Sequence, residues 1–74
     1  MHLSEVPPET NVRITAIEAG RGLTSRLAAM GLIPGTEITV AVNDMKGPVI
    51  VNVKTSKIAL GRGMARKIIV RRPS

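Results

Sequence analysis

The apolar residues of this chain fall in short runs that alternate with polar residues and are separated by Gly, Pro, Asn and Asp. The runs are NVRITAIE (11–18), EITVAV (37–42), VIVNVK (49–54), KIAL (57–60) and KIIVRR (67–72). Alternation with a period of two is typical of strands that bury one face. No apolar run approaches the ~18 residues that a membrane-spanning helix needs. The pattern therefore predicts a mainly β protein of five short strands.

The residues expected to face the core follow from this alternation. They are Val12, Ile14 and Ala16, then Ile38, Val40 and Val42, then Val49, Val51 and Val53, and finally Ile58, Leu60, Ile68 and Val70. Leu3 and Val6 precede the Pro7-Pro8 pair, and we expect them to fix an extended lead-in to the same core. The 74 residues include no cysteine and no aromatic residue, so the core is aliphatic. Barrel closure would remove exposed strand edges, so we predict a single domain over residues 1–74 with a small five-stranded β-barrel.

The segment GRGLTSRLAAMG (20–31) predicts a helix between the first two strands. Leu23, Leu27 and Met30 recur at i, i+4 and i+7, which places them on one helical face. Three residues could cap the start of this helix, namely Gly22, Thr24 and Ser25. The start therefore stays open between these positions.

The end of this helix is marked by Gly31, which suits the left-handed position after a helix, with Leu32 placed to contact Leu27. Pro34 and Gly35 then occupy the central positions of a type II turn. Further along, NDMKGP (43–48) is typical of a loop, TS (55–56) of a tight connection, and GRGMAR (61–66) of one short helical turn.

Four segments of the chain together resemble the FeoA family, named for ferrous iron transport protein A. They are LSEVPP (3–8), RLAAMGLIPGTEITV (26–40), GPVIVNV (47–53) and KIALGRGMARKIIV (57–70). The most specific residues are Arg26-Leu27, Met30-Gly31-Leu32, Pro34-Gly35, Gly47-Pro48 and Ile58-Ala59-Leu60, followed by Ala65 and Ile68. The chain departs from the family pattern at Glu9-Thr10, where a glycine is common, and at Gly61-Arg62-Gly63, where relatives have better helix formers.

The resemblance implies an SH3-like β-barrel with one helix inserted after the first strand and a short helical turn before the last. It also implies a small cytoplasmic accessory protein of bacterial ferrous iron uptake, peripheral to the inner membrane. The resemblance further implies action on FeoB, a membrane permease with a cytoplasmic GTP-binding domain. The same fold occurs as the C-terminal domain of iron- and manganese-dependent repressors, so a stand-alone relative of that domain is an alternative.

The chain offers no pair of residues for catalysis. Acid–base and nucleophilic chemistry need titratable side chains within hydrogen-bond reach, whereas the five acids here are scattered and the one histidine is His2. His2 also lacks a histidine or cysteine partner for a transition metal. GRGMAR (61–66) contains G-x-G but not the third glycine of a dinucleotide site. We therefore predict no enzyme, no metal site and no bound cofactor.

Charge is distributed unevenly along the chain. Residues 1–42 carry a net charge of −1 and residues 43–74 a net charge of +7. The second half contains a predicted basic face made of Lys54, Lys57, Arg62, Arg66, Lys67, Arg71 and Arg72. Such asymmetry points to an anionic partner, either a membrane surface, an acidic protein face or nucleic acid. Nucleic acid is the less favoured alternative, since small barrels that bind single strands usually stack bases on aromatic side chains.

The residues around the helix end are the candidates for a protein-docking surface. They are Arg26, Leu27, Met30, Leu32 and Ile33. Leu27 is expected in the core, and Met30, Leu32 and Ile33 are expected to be partly exposed, because helix-end and loop residues are accessible. The alternative is that all the apolar members are buried, because a core without aromatic residues needs its aliphatic ones. Pairing between exposed strand edges of two copies would give a homo-oligomer.

Overall fold

A computed structural model describes residues 1–73 of the chain. The elements are a 3₁₀ turn over Leu3–Glu5, β1 over Thr10–Ile17, α1 over Arg21–Ala29, β2 over Glu37–Val42, β3 over Val49–Val53, β4 over Ser56–Leu60, α2 over Arg62–Ala65 and β5 over Ile68–Arg71. The five strands form one antiparallel sheet in the order β4-β3-β2-β1-β5. The predicted five strands, inserted helix and short second helix are therefore confirmed.

The outer strands of the sheet are β4 and β5, and within residues 1–73 no ladder joins them into the closed barrel that we predicted. The outer edge of β5 is instead covered by the start of the chain. The Val70 amide donates to the Met1 carbonyl at 2.7 Å, and His2 forms a β-bridge with Ile69. The N-terminal segment thus satisfies backbone groups that an exposed edge would leave to solvent.

The core is wholly aliphatic and draws on every element of the chain. Its members are Leu3, Val6, Val12, Ile14, Leu27, Leu32, Ile38, Val40, Val49, Val51, Val53, Leu60, Ala65, Ile68 and Val70. Leu3 and Val6 are fully buried, as expected for residues that fix the lead-in. β3 follows the predicted alternation throughout, with Val49, Val51 and Val53 all buried.

Two register shifts change which residues face the core. Between Ile14 and Ala16, β1 advances two residues while β5 advances one, so Ala16 is exposed and Ile17 packs against the core. Between Val40 and Val42, β2 advances two residues while β3 advances one, and Val42 is 42% exposed. The predictions that Ala16 and Val42 face inward are wrong, because a strict period of two does not continue through a β-bulge.

Two local boundaries also differ from those predicted. The N-cap of α1 is Gly20, upstream of the three candidates, and the Thr24 hydroxyl donates to the Ala19 carbonyl at 3.3 Å. The hairpin turn between β3 and β4 consists of Lys54 and Thr55, because Val53 pairs with Ser56. The tight connection therefore lies one residue earlier than predicted, and Lys54 adopts a positive φ of 56°.

Candidate docking surface

The end of α1 is closed by two backbone hydrogen bonds. The Gly31 amide donates to the Ala28 carbonyl at 2.9 Å, and the Leu32 amide donates to the Leu27 carbonyl at 2.9 Å. Gly31 has a φ of 85°, the left-handed conformation predicted for it. These are the two bonds of the Schellman motif, which ends a helix and turns the next apolar residue back towards it.

The chain then turns again before β2 begins. The Thr36 amide donates to the Ile33 carbonyl at 3.1 Å, and Gly35 has a φ of 96°. These are the features of the predicted type II turn with Pro34 and Gly35 at its centre. The Gly35 amide also donates to the Ile14 carbonyl at 2.7 Å, so the turn is attached to β1. The segment from Met30 to Thr36 is therefore held by hydrogen bonds at both ends.

This double turn exposes some of the predicted docking residues and buries others. Met30 is 39% exposed and Ile33 is 47% exposed, whereas Leu27 and Leu32 are fully buried. The expectation that Leu32 is partly exposed is wrong, because the Schellman motif directs it into the core. The alternative that all the apolar members are buried is also wrong. We call the exposed set Arg26, Met30 and Ile33 the docking corner.

The docking corner lies beside the β3–β4 hairpin. A β-carbon on Gly31 would lie 3.7 Å from Cγ1 of Val53, the last residue of β3. Lys54 follows Val53 directly, so its exposed side chain originates one residue from this contact. Arg26, exposed in the last turn of α1, is the basic member of the corner.

The acid that follows the corner in sequence is already paired. The Glu37 carboxylate accepts a hydrogen bond from Arg13 Nη2 at 2.9 Å, and this is the ion pair found within residues 1–73. Both side chains are about half exposed, so the pair contributes little to stability.

The predicted basic face divides between three exposed segments and one anchored residue. The exposed members are Lys54 and Lys57 at the β3–β4 hairpin, Arg66 and Lys67 after α2, and Arg71 and Arg72 at the end of β5. Arg62 differs, since it is half-buried and its guanidinium donates to three oxygen acceptors and, at 3.7 Å, to the Met45 sulfur. The assignment of Arg62 to a basic surface is therefore wrong.

Arg62 joins three distant parts of the chain with the help of Asn43. Its Nη2 donates to the Ser4 carbonyl and to Asn43 Oδ1, both at 2.9 Å, and its Nη1 donates to the Gly47 carbonyl at 3.0 Å. Asn43, 7% exposed, donates through Nδ2 to the carbonyls of Ser4 at 3.0 Å and Val6 at 2.8 Å. We call Arg62 and Asn43 with these carbonyls the polar clamp. It fastens the N-terminal turn and the β2–β3 loop to α2.

The β2 bulge makes this clamp possible. It turns Val42 outward and Asn43 inward, reversing the order that alternation predicts. The sequence alone does not reveal the clamp, because it presents Asn43 as an ordinary loop residue and Arg62 as surface charge. The available signal was Gly61-Arg62-Gly63, a segment whose two glycines weaken the short helical turn that carries Arg62.

Asp44 orders the loop that follows. Its Oδ1 accepts hydrogen bonds from the amides of Lys46 at 3.1 Å and Gly47 at 2.9 Å. Both bonds lower the pKa of Asp44 below its ordinary value of 3.8, and the bond from the Gly47 amide has the larger effect. The next residue, Met45, has a φ of 71° and is 65% exposed. The loop is thus an ordered turn that displays an apolar side chain at the end of β2 opposite the docking corner.

The family model for the FeoA domain matches residues 1–72. This chain belongs to the FeoA family. The family inferred from the four sequence segments is thus confirmed, and with it the link to ferrous iron transport.

Individual relatives agree with this assignment. Fe(2+) transport protein A of Methanocaldococcus jannaschii is 44% identical over 59 residues, which cover 80% of this chain and 71% of that protein. The crystal structure of an iron uptake regulatory protein, FeoA, superposes with a TM-score of 0.90 at 34% identity, covering 96% of this chain and 95% of that one. FeoA of Stenotrophomonas maltophilia, described as a prokaryotic SH3 domain protein, gives a TM-score of 0.83 at 25% identity, covering 96% of this chain and 89% of its own. The chain therefore has the SH3-like fold of FeoA proteins.

Residues 1–73 also bear on two other kinds of site. Among these residues no helix is both long and apolar enough to cross a membrane. The same residues contain no group of three or more His, Cys, Asp or Glu side chains placed to hold a metal ion. The surface features that the described residues provide include the docking corner, the exposed basic segments and the exposed apolar side chains of Val42 and Met45.

Proposed function

We propose that this FeoA protein is a cytoplasmic accessory of ferrous iron uptake, peripheral to the inner membrane, that docks on the cytoplasmic GTP-binding domain of the FeoB permease. In this role it modulates transport or the assembly of the permease and performs no chemistry of its own. Membership of the FeoA family supports the pathway. The observation that supports docking is the presence of two exposed apolar side chains on a corner of fixed backbone.

The fixed backbone favours recognition for an energetic reason. Binding is weakened by the entropy of ordering loops and side chains at an interface. The segment from Met30 to Thr36 is already held by the helix-ending bonds and by the turn bonded to β1. Met30 and Ile33 can therefore enter a pocket on the partner without further ordering of their backbone, as expected of residues that anchor an interface.

The direct test is a pull-down of the FeoB soluble domain with wild-type protein and with Met30→Asp and Ile33→Asp. Burying a carboxylate at an interface opposes binding by far more free energy than the loss of the apolar contact does, so both variants should lose binding. Leu32→Asp is unsuitable, because Leu32 is buried and the change would unfold the protein. Circular dichroism shows whether each variant keeps the wild-type fold.

Met45→Asp is the matched control. Met45 is more exposed than either corner residue and lies in the β2–β3 loop, at the other end of β2. It should bind the FeoB domain as well as wild type does. If Met30→Asp and Ile33→Asp fold and still bind fully, the docking corner is not the contact surface.

The exposed basic segments support a second element of the proposal, attraction to anionic lipid near the permease. Co-sedimentation with vesicles containing phosphatidylserine should retain the protein at low salt and release it at high salt. Nucleic acid is the rival for the same charge, and a non-specific binder grips DNA most tightly at low salt. Loss of retention on random DNA at about 50 mM salt would exclude that rival.

A further inference from the structure

The two edges of the sheet differ in how they are covered. The outer edge of β5 is paired with the N-terminal segment, as described above. The outer edge of β4 has no such cover, because within residues 1–73 β4 pairs only with β3. An edge of this kind presents unpaired backbone groups to which another strand can add.

The β3–β4 hairpin determines which residues of β4 carry these unpaired groups. Its two-residue turn is closed by the Val53–Ser56 pair, so Ser56 and every second residue after it bond to β3. Lys57 and Ala59 alternate with these residues and direct their amides and carbonyls away from β3. Neither has a backbone hydrogen bond to another segment of residues 1–73, and both side chains are exposed. An added strand would therefore bond to Lys57 and Ala59.

Apolar side chains on both faces of the sheet are incompletely covered at this edge. On the inner face, Ile58 packs against the core but is only half-buried, whereas its β3 neighbour Val51 is fully buried. On the outer face, Val42, Ile50 and Ala59 are aligned across β2, β3 and β4, so an apolar row ends at the edge. A strand added beside β4 would cover both if it placed one apolar side chain opposite Ile58 and another opposite Ala59.

The charge on this edge comes from Lys57. Its row across the sheet consists of neutral polar residues, namely Asn52, Thr39 and Asn11. Glu37 lies two residues from this row along β2 and is already ion-paired. Within residues 1–73 Lys57 itself forms no ion pair. An Asp or Glu placed opposite Lys57 on an added strand would therefore meet an unmatched positive charge.

The same charge opposes pairing of this edge with a second copy of the chain. Two β4 strands paired antiparallel about a twofold axis at Ile58 would set Lys57 opposite Ala59 of the other copy. The two Lys57 side chains would then lie on one face about 7–8 Å apart, and each chain carries a net charge of +6. Like charge thus disfavours self-pairing and favours a strand that carries an acid.

We propose that the outer edge of β4 accepts an extended segment of a protein partner as a sixth, antiparallel strand. The segment carries two apolar residues, opposite Ala59 and then Ile58, followed by an acidic residue opposite Lys57. Backbone hydrogen bonds to Lys57 and Ala59 hold the strand, and its side chains give selectivity. The edge shares no residue with the docking corner, so this binding is independent of docking on FeoB.

The probe is the peptide Thr-Val-Ile-Glu-Thr, capped at both ends and titrated into ¹⁵N-labelled protein with NMR detection. The amide signals of Lys57 and Ala59 should shift and saturate. In the proposed register the valine N–H donates to the Ala59 carbonyl, so methylation of that nitrogen should abolish binding. The isoleucine N–H points away from β4, and methylation of that nitrogen is the matched control that should preserve binding.

Selectivity is tested by replacing the glutamate of the peptide with lysine and by the variant Lys57→Glu. Wild type should bind the glutamate peptide about threefold or more tightly than the lysine peptide, and Lys57→Glu should reverse this preference. Arg66→Glu is the matched control, since Arg66 is exposed but lies after α2. It changes the total charge equally and should keep the wild-type preference.

The same measurements can overturn the proposal. If the Lys57 and Ala59 signals do not move at peptide concentrations up to about 10 mM, the edge does not accept a strand. If the valine-methylated peptide binds as tightly as the unmodified one, binding does not use this edge. Equal affinity of wild type for the two peptides would show that Lys57 does not select an acid. If the signals instead change with protein concentration alone and the sedimentation mass doubles, a second copy occupies the edge and the proposed partner is wrong.

Discussion

Replacing Arg62 with methionine tests the claim that this residue holds the fold together. Methionine keeps most of the apolar stem but removes the guanidinium that donates to Ser4, Asn43 and Gly47 at 2.9 to 3.0 Å. The Ser4 carbonyl keeps its bond from Asn43 Nδ2. The Gly47 carbonyl and Asn43 Oδ1 each lose the bond that Arg62 supplied.

The expected magnitude follows from these two losses. Hydrogen bonds from a charged donor contribute about 1.5–3 kcal/mol each, and Arg62 is only partly buried, so the lower end applies. Water can reach the Gly47 carbonyl more easily than the buried Asn43 oxygen. We expect the free energy of unfolding to fall by about 2–3 kcal/mol, and Tm to fall by roughly 10–20 °C for a domain of this size.

Urea and thermal unfolding followed by far-UV circular dichroism measure this change, because the chain has no aromatic residue for fluorescence. Arg66→Met is the matched control: Arg66 is exposed and its side chain makes no hydrogen bond within residues 1–73, so the change should stay within ~0.5 kcal/mol. Arg62→Lys should fall between the two, because lysine keeps the charge but not the planar fork. Equal stability of the two methionine variants would refute the role assigned to the clamp.

Three further predictions concern the backbone and the loop. Gly31→Ala should lower the free energy of unfolding by about 1–2 kcal/mol because of the positive φ alone, since the added methyl would make only an ordinary contact with Val53. Gly63→Ala lies in open space within α2 and should raise the free energy of unfolding by up to ~1 kcal/mol. Urea unfolding that shows the same sign for both variants would contradict this account. Lys54→Gly should raise the free energy of unfolding by ~0.5 kcal/mol, because the relief of left-handed strain exceeds the extra backbone entropy that glycine loses on folding. A lower urea midpoint for the variant would show that Lys54 is not strained. Asp44 has a lowered pKa in the folded state, so its charge stabilises the protein above pH ~4 and this stabilisation is lost as pH falls through the folded pKa. The stability difference between wild type and Asp44→Asn should therefore shrink on acidification, and a difference independent of pH would exclude this origin.

Local features of the fold were predictable because short-range chemistry decides them. Gly31 and the Pro34-Gly35 pair each meet a backbone requirement that neighbouring residues create, and both appear where predicted. β3 was predictable because its alternating valines continue without a bulge.

Features that depend on pairing between distant segments were not predictable from residue pattern. Whether Val42 or Asn43 faces inward depends on the register of β2 against β3, which the residues of β2 alone do not specify. The acceptors of Arg62 lie 15 to 58 residues away in sequence. The residues next to Arg62 therefore do not distinguish it from the surface arginines that follow it. At the docking corner, Leu32 is buried and Ile33 is exposed because the Schellman motif turns the first towards the core and leaves the second facing solvent.

The position of β1 between β2 and β5 has a consequence for how the protein is made. Ile17 pairs with Ile68 and Arg13 pairs with Arg71, so the first strand must wait for the last to be synthesised before the sheet is complete. Until then Ile14 and Ile17 have no neighbour on that side, and the nascent chain exposes an apolar strand edge of the kind that chaperones bind. Such long-range pairing also slows folding, so the free chain is expected to reach its native state in milliseconds to seconds and not in microseconds.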